Sequence, residues 1–234
     1  MFSYNKSKIN SQSDNTNTPV LSTADTTTVN TDTTKDIVAG ANTVAEVFPE
    51  VSIGTQVWMA KNLDISTFRN GDLIPQAKTA EEWKKAGETQ QPAWCYYDND
   101  PANGQKYGKL YNWYAVNDAR GLAPQGYHIP TKAEWTTLTA YLGGEEVAGT
   151  KMKSTSGWNE NGNGSNESGF NGLPGGHRSK SGTFYAIGED GYWWSSIEAN
   201  TSDAWSHYLD YDAGNVYGVT NSKGGGFYVR CLRD

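Results

Sequence analysis

Gly191–Asp234 reads GYWWSSIEANTSDAWSHYLDYDAGNVYGVTNSKGGGFYVRCLRD, and the rest of the chain is organised around it. It opens on Tyr192-Trp193-Trp194 and closes on Phe227-Tyr228-Val229-Arg230-Cys231. Between these blocks the residues are mostly small, polar or tyrosine. Short apolar alternations separated by Gly, Asp and Asn turns, from Thr183 onward, predict an antiparallel sheet. A Tyr/Ser/Asn/Gly middle held between two apolar ends also has the composition of a recognition surface, because tyrosine gives contact area at low entropy cost while small polar residues adapt. An ordinary hairpin-rich domain end has the same composition, so both readings stand at this point.

Working backwards, Ser154–Gly176 is too rich in Gly, Asn and Ser for regular structure and is expected to be a long surface loop anchored by Trp158, Phe170 and Leu173. The clearest helix signal precedes it. Thr131 and Glu134 make a capping box, Trp135, Leu138 and Leu142 share one face, and Gly143-Gly144 stops the run. A short helix is expected in LYNWYAV, ended by Asn117-Asp118. Another starts at the Thr79/Glu82 capping box and stops at Gly87. Val51, Ile53, Val57 and Met59 alternate around Gly54, which predicts a strand pair with a tight turn at Ile53–Gln56. The sum is an α+β domain with two or three short helices early and strands late, its core including Trp58, Trp113, Trp135, Trp193 and Trp194.

All nine tryptophans lie at or after Trp58. Residues 1–46 are a Ser/Thr/Asn-rich leader with too little apolar surface to offset the entropy of ordering, so the globular domain is expected over residues 47–234. Such a leader suits a stalk holding a domain off a surface. The net charge of −7, with no Lys/Arg cluster, argues against a nucleic-acid partner. No stretch approaches the roughly 20 apolar residues of a membrane span, so no direct membrane insertion is expected, and MFSYNKSKINSQSD lacks the apolar segment of a secretory signal.

Cys95 and Cys231, with three scattered histidines, offer no zinc-ligand spacing. They are either two buried thiols or one disulfide closing a long loop, which a chain-entropy argument values at about 5 kcal/mol. His128, His177 and His207 share no short motif with a nucleophile. His128 is expected to pack or cap, His177 to be exposed, and His207 to be a surface contact. Asp98, Asn99 and Asp100 offer oxygens for a structural calcium, yet an Asp-Asn-Asp-Pro turn is explained by local backbone bonding. Arg230 either pairs with a buried acid or faces solvent. Trp205, Tyr208, Tyr211 and Tyr217 offer apolar ring faces beside polar neighbours, as sugar stacking requires.

In AWCYYDND, YGKLYNWYAV, GLAPQGYHIPTKAEW, GYWWSS and FYVRCLRD, in that order, the chain resembles the Fibrobacter succinogenes major paralogous domain family from about Val51 to Asp234. That family is similar in fold to the C-type lectin-like proteins and the formylglycine-generating enzymes, whose helix-start motif is echoed by Ile129-Pro130-Thr131-Lys132-Ala133-Glu134-Trp135. The resemblance implies a C-type lectin-like fold with a twisted antiparallel sheet and long functional loops. It also implies export, commonly as a bacterial surface lipoprotein, which favours the disulfide. Formylglycine-generating enzymes use a cysteine pair late in the domain, and only Cys231 lies there, so that activity is not expected. The Glu-Pro-Asn and Trp-Asn-Asp triplets of calcium-dependent lectins do not occur, and no cofactor is expected.

Some C-type lectin-like proteins of this kind are variable targets of diversity-generating retroelements, in which template adenines are mutated. Ser206–Asn221 is built almost wholly from residues reachable by changing the adenines of an AAC codon. The expectation is therefore a non-enzymatic domain on a bacterial surface or phage particle, presenting residues 199–225 to a protein or glycan ligand. Its contact residues would be Trp205, His207, Tyr208, Asp210, Tyr211, Asp212, Asn215, Tyr217, Val219 and Asn221. The alternative is a structural or adhesive surface module without a discrete pocket.

Overall fold

The computed structural model describes residues 47–234; the leader expected over residues 1–46 lies outside the described residues. The first hairpin forms where the alternation places it, with β1 (Glu50–Ile53) and β2 (Gln56–Met59) paired antiparallel from Glu50↔Met59 to Ile53↔Gln56. Gly54 supplies the left-handed turn residue at φ 62°. Both capping boxes close. Thr79 and Glu82 exchange bonds of 3.1 Å at the head of α1 (Ala80–Glu88), which runs one residue past the expected stop at Gly87. Thr131 and Glu134 do the same at the head of α4 (Lys132–Tyr141).

Between these helices, β3 (Trp94–Cys95) pairs with β4 (Leu110–Tyr111), and α3 (Trp113–Val116) follows, capped by Asn112. Two helices go beyond the two or three expected. The Asp98-Asn99-Asp100 segment is a helix entry: Asp98 and Asn99 take left-handed backbone angles, and the Asp100 carboxylate accepts the Ala102 N–H at 2.9 Å to cap α2 (Pro101–Tyr107). Capping thus accounts for Asp100, while the buried Asn99 Oδ1 has no hydrogen-bond partner among the described residues. The second, α5 (Glu145–Met152), starts directly after Gly143-Gly144. A two-residue strand, β5 (Tyr127–His128), leads into α4.

Residues 154–174 form the expected long loop; Trp158 and Phe170 are buried anchors and Leu173 is half-buried. The late strands are β6 (Gly175–Arg178), β7 (Phe184–Ile187), β8 (Asp190–Glu198), β9 (Asp203–Asp210), β10 (Tyr217–Ser222) and β11 (Leu232–Arg233). Five of them form one sheet in the order β10-β9-β8-β6-β7, antiparallel throughout except for a parallel β6–β8 contact at Gly176↔Gly191. A four-stranded sheet, β1-β2-β11-β5, brings the first and last described strands together.

Successive side chains of a strand point to opposite faces, and β8 uses this to seed two cores. Trp193 joins Trp58, Trp135, Phe170 and Leu209 on one face, while Trp194 joins Trp94, Tyr111, Trp113 and Phe227 on the other. Burying rings of this size fully is worth about 1.5–3 kcal/mol each, so the tryptophan pair fixes the register of the sheet.

The closing block Phe227–Cys231, which the alternation from Thr183 onward assigns to an antiparallel sheet, is instead a stitched segment of single bridges. Phe227 bonds Tyr111 of β4 in both directions, Tyr228 bonds the main chain of Tyr192 and Trp194, and Leu232 then enters β11 against β2 and β5. Tyr228 turns to one core and Phe227 and Val229 to the other.

Cys95 and Cys231 are two separate buried thiols in different cores, in place of the expected disulfide. Arg230 meets neither an acid nor solvent: it is fully buried, its guanidinium donating to Asn62 Oδ1 and to the carbonyls of Met59 and Phe170. These acceptors satisfy a charge that burial alone would expel. Among the described residues no helix is long and apolar enough to cross a membrane.

Candidate functional site

The ten expected contact residues fall on β9, β10 and the turn between them, and strand parity divides them. Tyr217 lies opposite Tyr208, Val219 opposite Ser206 and Asn221 opposite Ala204. Hence Tyr208, Asp210, Tyr217, Val219 and Asn221 share one face of the sheet. Trp205 and His207 point through the other face, towards α4. The Lys132 ammonium sits 3.3 Å above the centre of the Trp205 ring, and His207 stacks on Trp135 with centroids 4.6 Å apart and planes 14° from parallel. His207 is buried, not a surface contact, and burial, aided by the Lys132 charge, pushes its pKa down to about 3.

The turn residues Tyr211, Asp212 and Asn215 are held from behind. The buried Lys153 ammonium donates to the carbonyls of Asp210, Tyr211 and Ala213 at 2.9, 3.3 and 2.8 Å. The Val216 N–H donates to the Glu145 carbonyl and the Thr150 N–H to that of Gly214, so α5 clamps the loop. Tyr211 packs part of its ring against a core, while Asp212 remains exposed.

The front face carries a row of aromatic rings that runs across all five strands. Tyr217, Tyr208, Tyr192 and Phe227 stack in sequence with centroid separations of 4.7, 4.7 and 4.8 Å and interplanar angles of 20°, 16° and 22°. His177 of β6 meets the Tyr192 ring edge-on at 4.9 Å, and Tyr185 of β7 stacks on His177 at 5.8 Å. Spacings near 4.7 Å match the distance between paired strands, so the rings stand on the sheet and face one another. Each pair contributes about 0.5–1.5 kcal/mol beyond its burial. Phe227 is buried at the base, the tyrosines of the stack are half-buried, and Tyr185 is exposed. His177, expected to be exposed, is half-buried, and that burial lowers its pKa.

One flank of this row, at its centre, is acidic. Asp190 and Asp210 are directly paired, two residues along from Tyr192↔Tyr208 and on the same face. Burial, with the charges of Asp210, Glu189 and Asp212 added, pushes the Asp190 carboxyl up to about 7. Burial and these carboxylates together raise the Tyr192 hydroxyl, and burial, Tyr217 and the carboxylates raise Tyr208. Asp212 is raised by its hydrogen bond with Asp210 and by that group's charge. The site is thus a line of ring edges flanked at its centre by carboxyl groups. It can bind through aromatic edges and hydrogen bonds to phenols and acids.

Tyr192, His177, Tyr185 and Asp190 belong to this face and were not among the expected contacts. Tyr192 stands in one apolar run with Trp193 and Trp194, yet alternation places it on the face of Trp194 and the β8–β9 register sets it beside Tyr208. At the opposite end of β9 and β10 a cleft of about 420 Å³ is lined by Tyr114, Lys180, Thr201, Ser202, Ser222 and Gly224 among others, and by none of the ten expected residues.

Other reactive groups are locked into structure. His128 bridges Asp234 and Glu134 at 2.8 and 2.9 Å; burial pulls its pKa down, but these two hydrogen bonds outweigh it and raise it. Burial pushes both thiols up to about 12, leaving neither as a thiolate. Among the described residues no group of three or more His, Cys, Asp or Glu side chains is placed to hold a metal ion.

An α+β domain with an aromatic row across one sheet defines the class of protein. The family model described as the Fibrobacter succinogenes major domain matches residues 51–233, and the chain belongs to that family. No curated protein matches it.

Proposed function

We propose that the chain is a non-enzymatic, ligand-binding domain of C-type lectin-like architecture, displayed on a bacterial surface or phage particle, whose ligand surface is the front face of the five-stranded sheet. The observation that carries this reading is the stack Tyr217–Tyr208–Tyr192–Phe227 with the Asp190/Asp210 pair beside its two central rings. A row of half-buried tyrosines beside acids gives contact area, hydrogen-bonding capacity and little side-chain entropy to lose, as binding loops do. The antiparallel sheet and the long 154–174 loop support the lectin-like assignment. The absence of enzymatic activity is supported by the buried thiols, the stacked His207 and the carboxylate-locked His128. A protein or glycan is the ligand class this surface fits, without a cofactor.

Diversification of residues 206–221 is supported at Tyr208, Asp210, Asp212, Tyr217, Val219 and Asn221, whose side chains reach the front face or solvent over a main chain held by β9 and α5. It is opposed at Ser206 and His207, which are buried. A near-copy of the 3′ end beside a reverse transcriptase gene would establish it.

The test is retention of the full chain on glycan and peptide arrays. Tyr208→Ser and Tyr217→Ser are each expected to abolish retention while the melting temperature moves by only a few degrees, since each side chain is half-buried. Retention undiminished in both variants refutes the surface. A chain that no array retains would favour the structural or adhesive module.

A further inference from the structure

A cleft of about 340 Å³ lies between the segment that follows β2, the end of α2 and the long loop, and none of its lining residues belongs to the front face. Its size falls within the roughly 300–1,000 Å³ of small-molecule sites. Arg230 is part of the lining, although the residue is only 1% exposed.

A guanidinium has five N–H groups to place. Four are taken here: Nε and one N–H of Nη2 donate to Asn62 Oδ1 at 3.1 and 2.7 Å, and the two of Nη1 donate to the carbonyls of Met59 and Phe170. The second N–H of Nη2 has no acceptor among the described residues. Every acceptor is neutral, so dipoles hold the group while no carboxylate offsets its charge. Burial pulls its pKa down to about 9, which leaves it protonated at neutral pH. Asn62 is fixed in turn, its Oδ1 accepting from Trp193 Nε1 at 2.8 Å and its Nδ2 donating to the Tyr107 carbonyl at 2.8 Å. A rigid, buried cation without a counter-charge attracts an anion strongly, because little solvent screens it.

The rest of the lining adds to this charge. Lys61 and Lys106 are exposed, and neither is ion-paired among the described residues. The single carboxylate of the lining, Asp64, is held by Lys109 at 2.6 Å. Three cations therefore face one acid that is already paired, on a chain whose net charge is −7.

We propose that this cleft binds a small hydroxylated molecule by an oxyanion, carboxylate or phosphate, which takes the free N–H of Arg230 and is further neutralised by Lys61 and Lys106. Gln105 and Asn171 offer side-chain amides to the hydroxyls, and Tyr107 and Leu173 offer apolar surface to the carbon skeleton. A sugar acid or a sugar phosphate has this make-up. An inorganic ion would leave most of the volume to water, each molecule of which takes up about 30 Å³.

The test titrates the full chain with glucose, glucuronate and glucose 6-phosphate at low ionic strength and follows the Nε–H resonances of the buried arginines by NMR. The Arg230 resonance should shift with one or both anions and stay in place with glucose. Arg178 is the internal control: it is equally buried and bonded to carbonyls alone, but the Trp83 and Phe184 rings lie against it. Arg230→Lys puts the fold at risk, so the variant used is Lys61→Glu/Lys106→Glu, at two exposed positions. It should bind the anion about tenfold more weakly or worse with little change in melting temperature. The anion that binds more tightly identifies the oxyanion as carboxylate or phosphate. An unmoved Arg230 resonance with both anions, an equal response to glucose, an equal shift of Arg178, or undiminished binding by the double variant each overturns the proposal.

Discussion

Replacing His207 with phenylalanine should make the domain less sensitive to mild acid. The imidazole is stacked on Trp135, its Nδ1 has no hydrogen-bond partner among the described residues, and its pKa is held at about 3 against an ordinary value of 6.5. The unfolded chain takes up a proton at this position that the folded chain refuses. Stability from His207 is therefore fully present above pH 6.5 and is lost progressively as the pH falls towards 3. Between about pH 7 and about pH 5 the linkage amounts to about 2 kcal/mol. His128 and Asp190, whose pKa values are raised on folding, act in the opposite direction, but they are present in both proteins and cancel in the comparison. Urea unfolding at the two pH values, followed by tryptophan fluorescence, should show wild type losing about 2 kcal/mol more than His207→Phe. Phenylalanine keeps a flat ring on Trp135 and removes the unpartnered nitrogen, so the variant should be at least as stable at neutral pH. Equal losses in the two proteins would mean that His207 is solvated, and its place in the core behind β9 would be wrong.

Three further outcomes follow from the packing behind the site. Lys153→Met leaves the carbonyls of Asp210, Tyr211 and Ala213 without their shared donor, and denaturant unfolding should report a loss of about 2–4 kcal/mol, with faster amide exchange across the 210–216 turn. Gly149→Ala, which in an open helix interior would gain up to about 1 kcal/mol, should instead cost about 1–3 kcal/mol. The new methyl would press on the main-chain oxygens of Gly214 and Asn215, and thermal unfolding gives the sign. Thiol titration should find two free cysteines after unfolding in the absence of reductant, and almost none reactive in the folded chain; a count of zero would restore the Cys95–Cys231 bridge.

Local signals were legible in the sequence. The Thr79/Glu82 and Thr131/Glu134 boxes need only four consecutive residues, and both helices start where these boxes place them. Helix α2 had its signal as well, Asp100 followed by Pro101, but Asn103 and Gly104 within it mask a helix, and the segment reads equally as a turn. Helix α5 was hidden because Gly143-Gly144 ends one helix and leads directly into the next. The site was legible only by region. Which of Trp205, His207 and Tyr208 meets solvent depends on what covers each face of β9, and that cover comes from α4, far away in the chain. The ring row depends on a β8–β9 register and on Phe227 returning across the sheet, and neither is encoded in a local pattern.

Hydroxyl-radical footprinting of the full chain, free and bound to a ligand retained on the arrays, tests the central claim most directly. Tyr192, Tyr208 and Tyr217 should become protected, while Tyr141, 65% exposed on α4, keeps its reactivity. Unchanged reactivity in all three stack tyrosines, with protection appearing elsewhere on the domain, would contradict the assignment of the front face as the ligand surface.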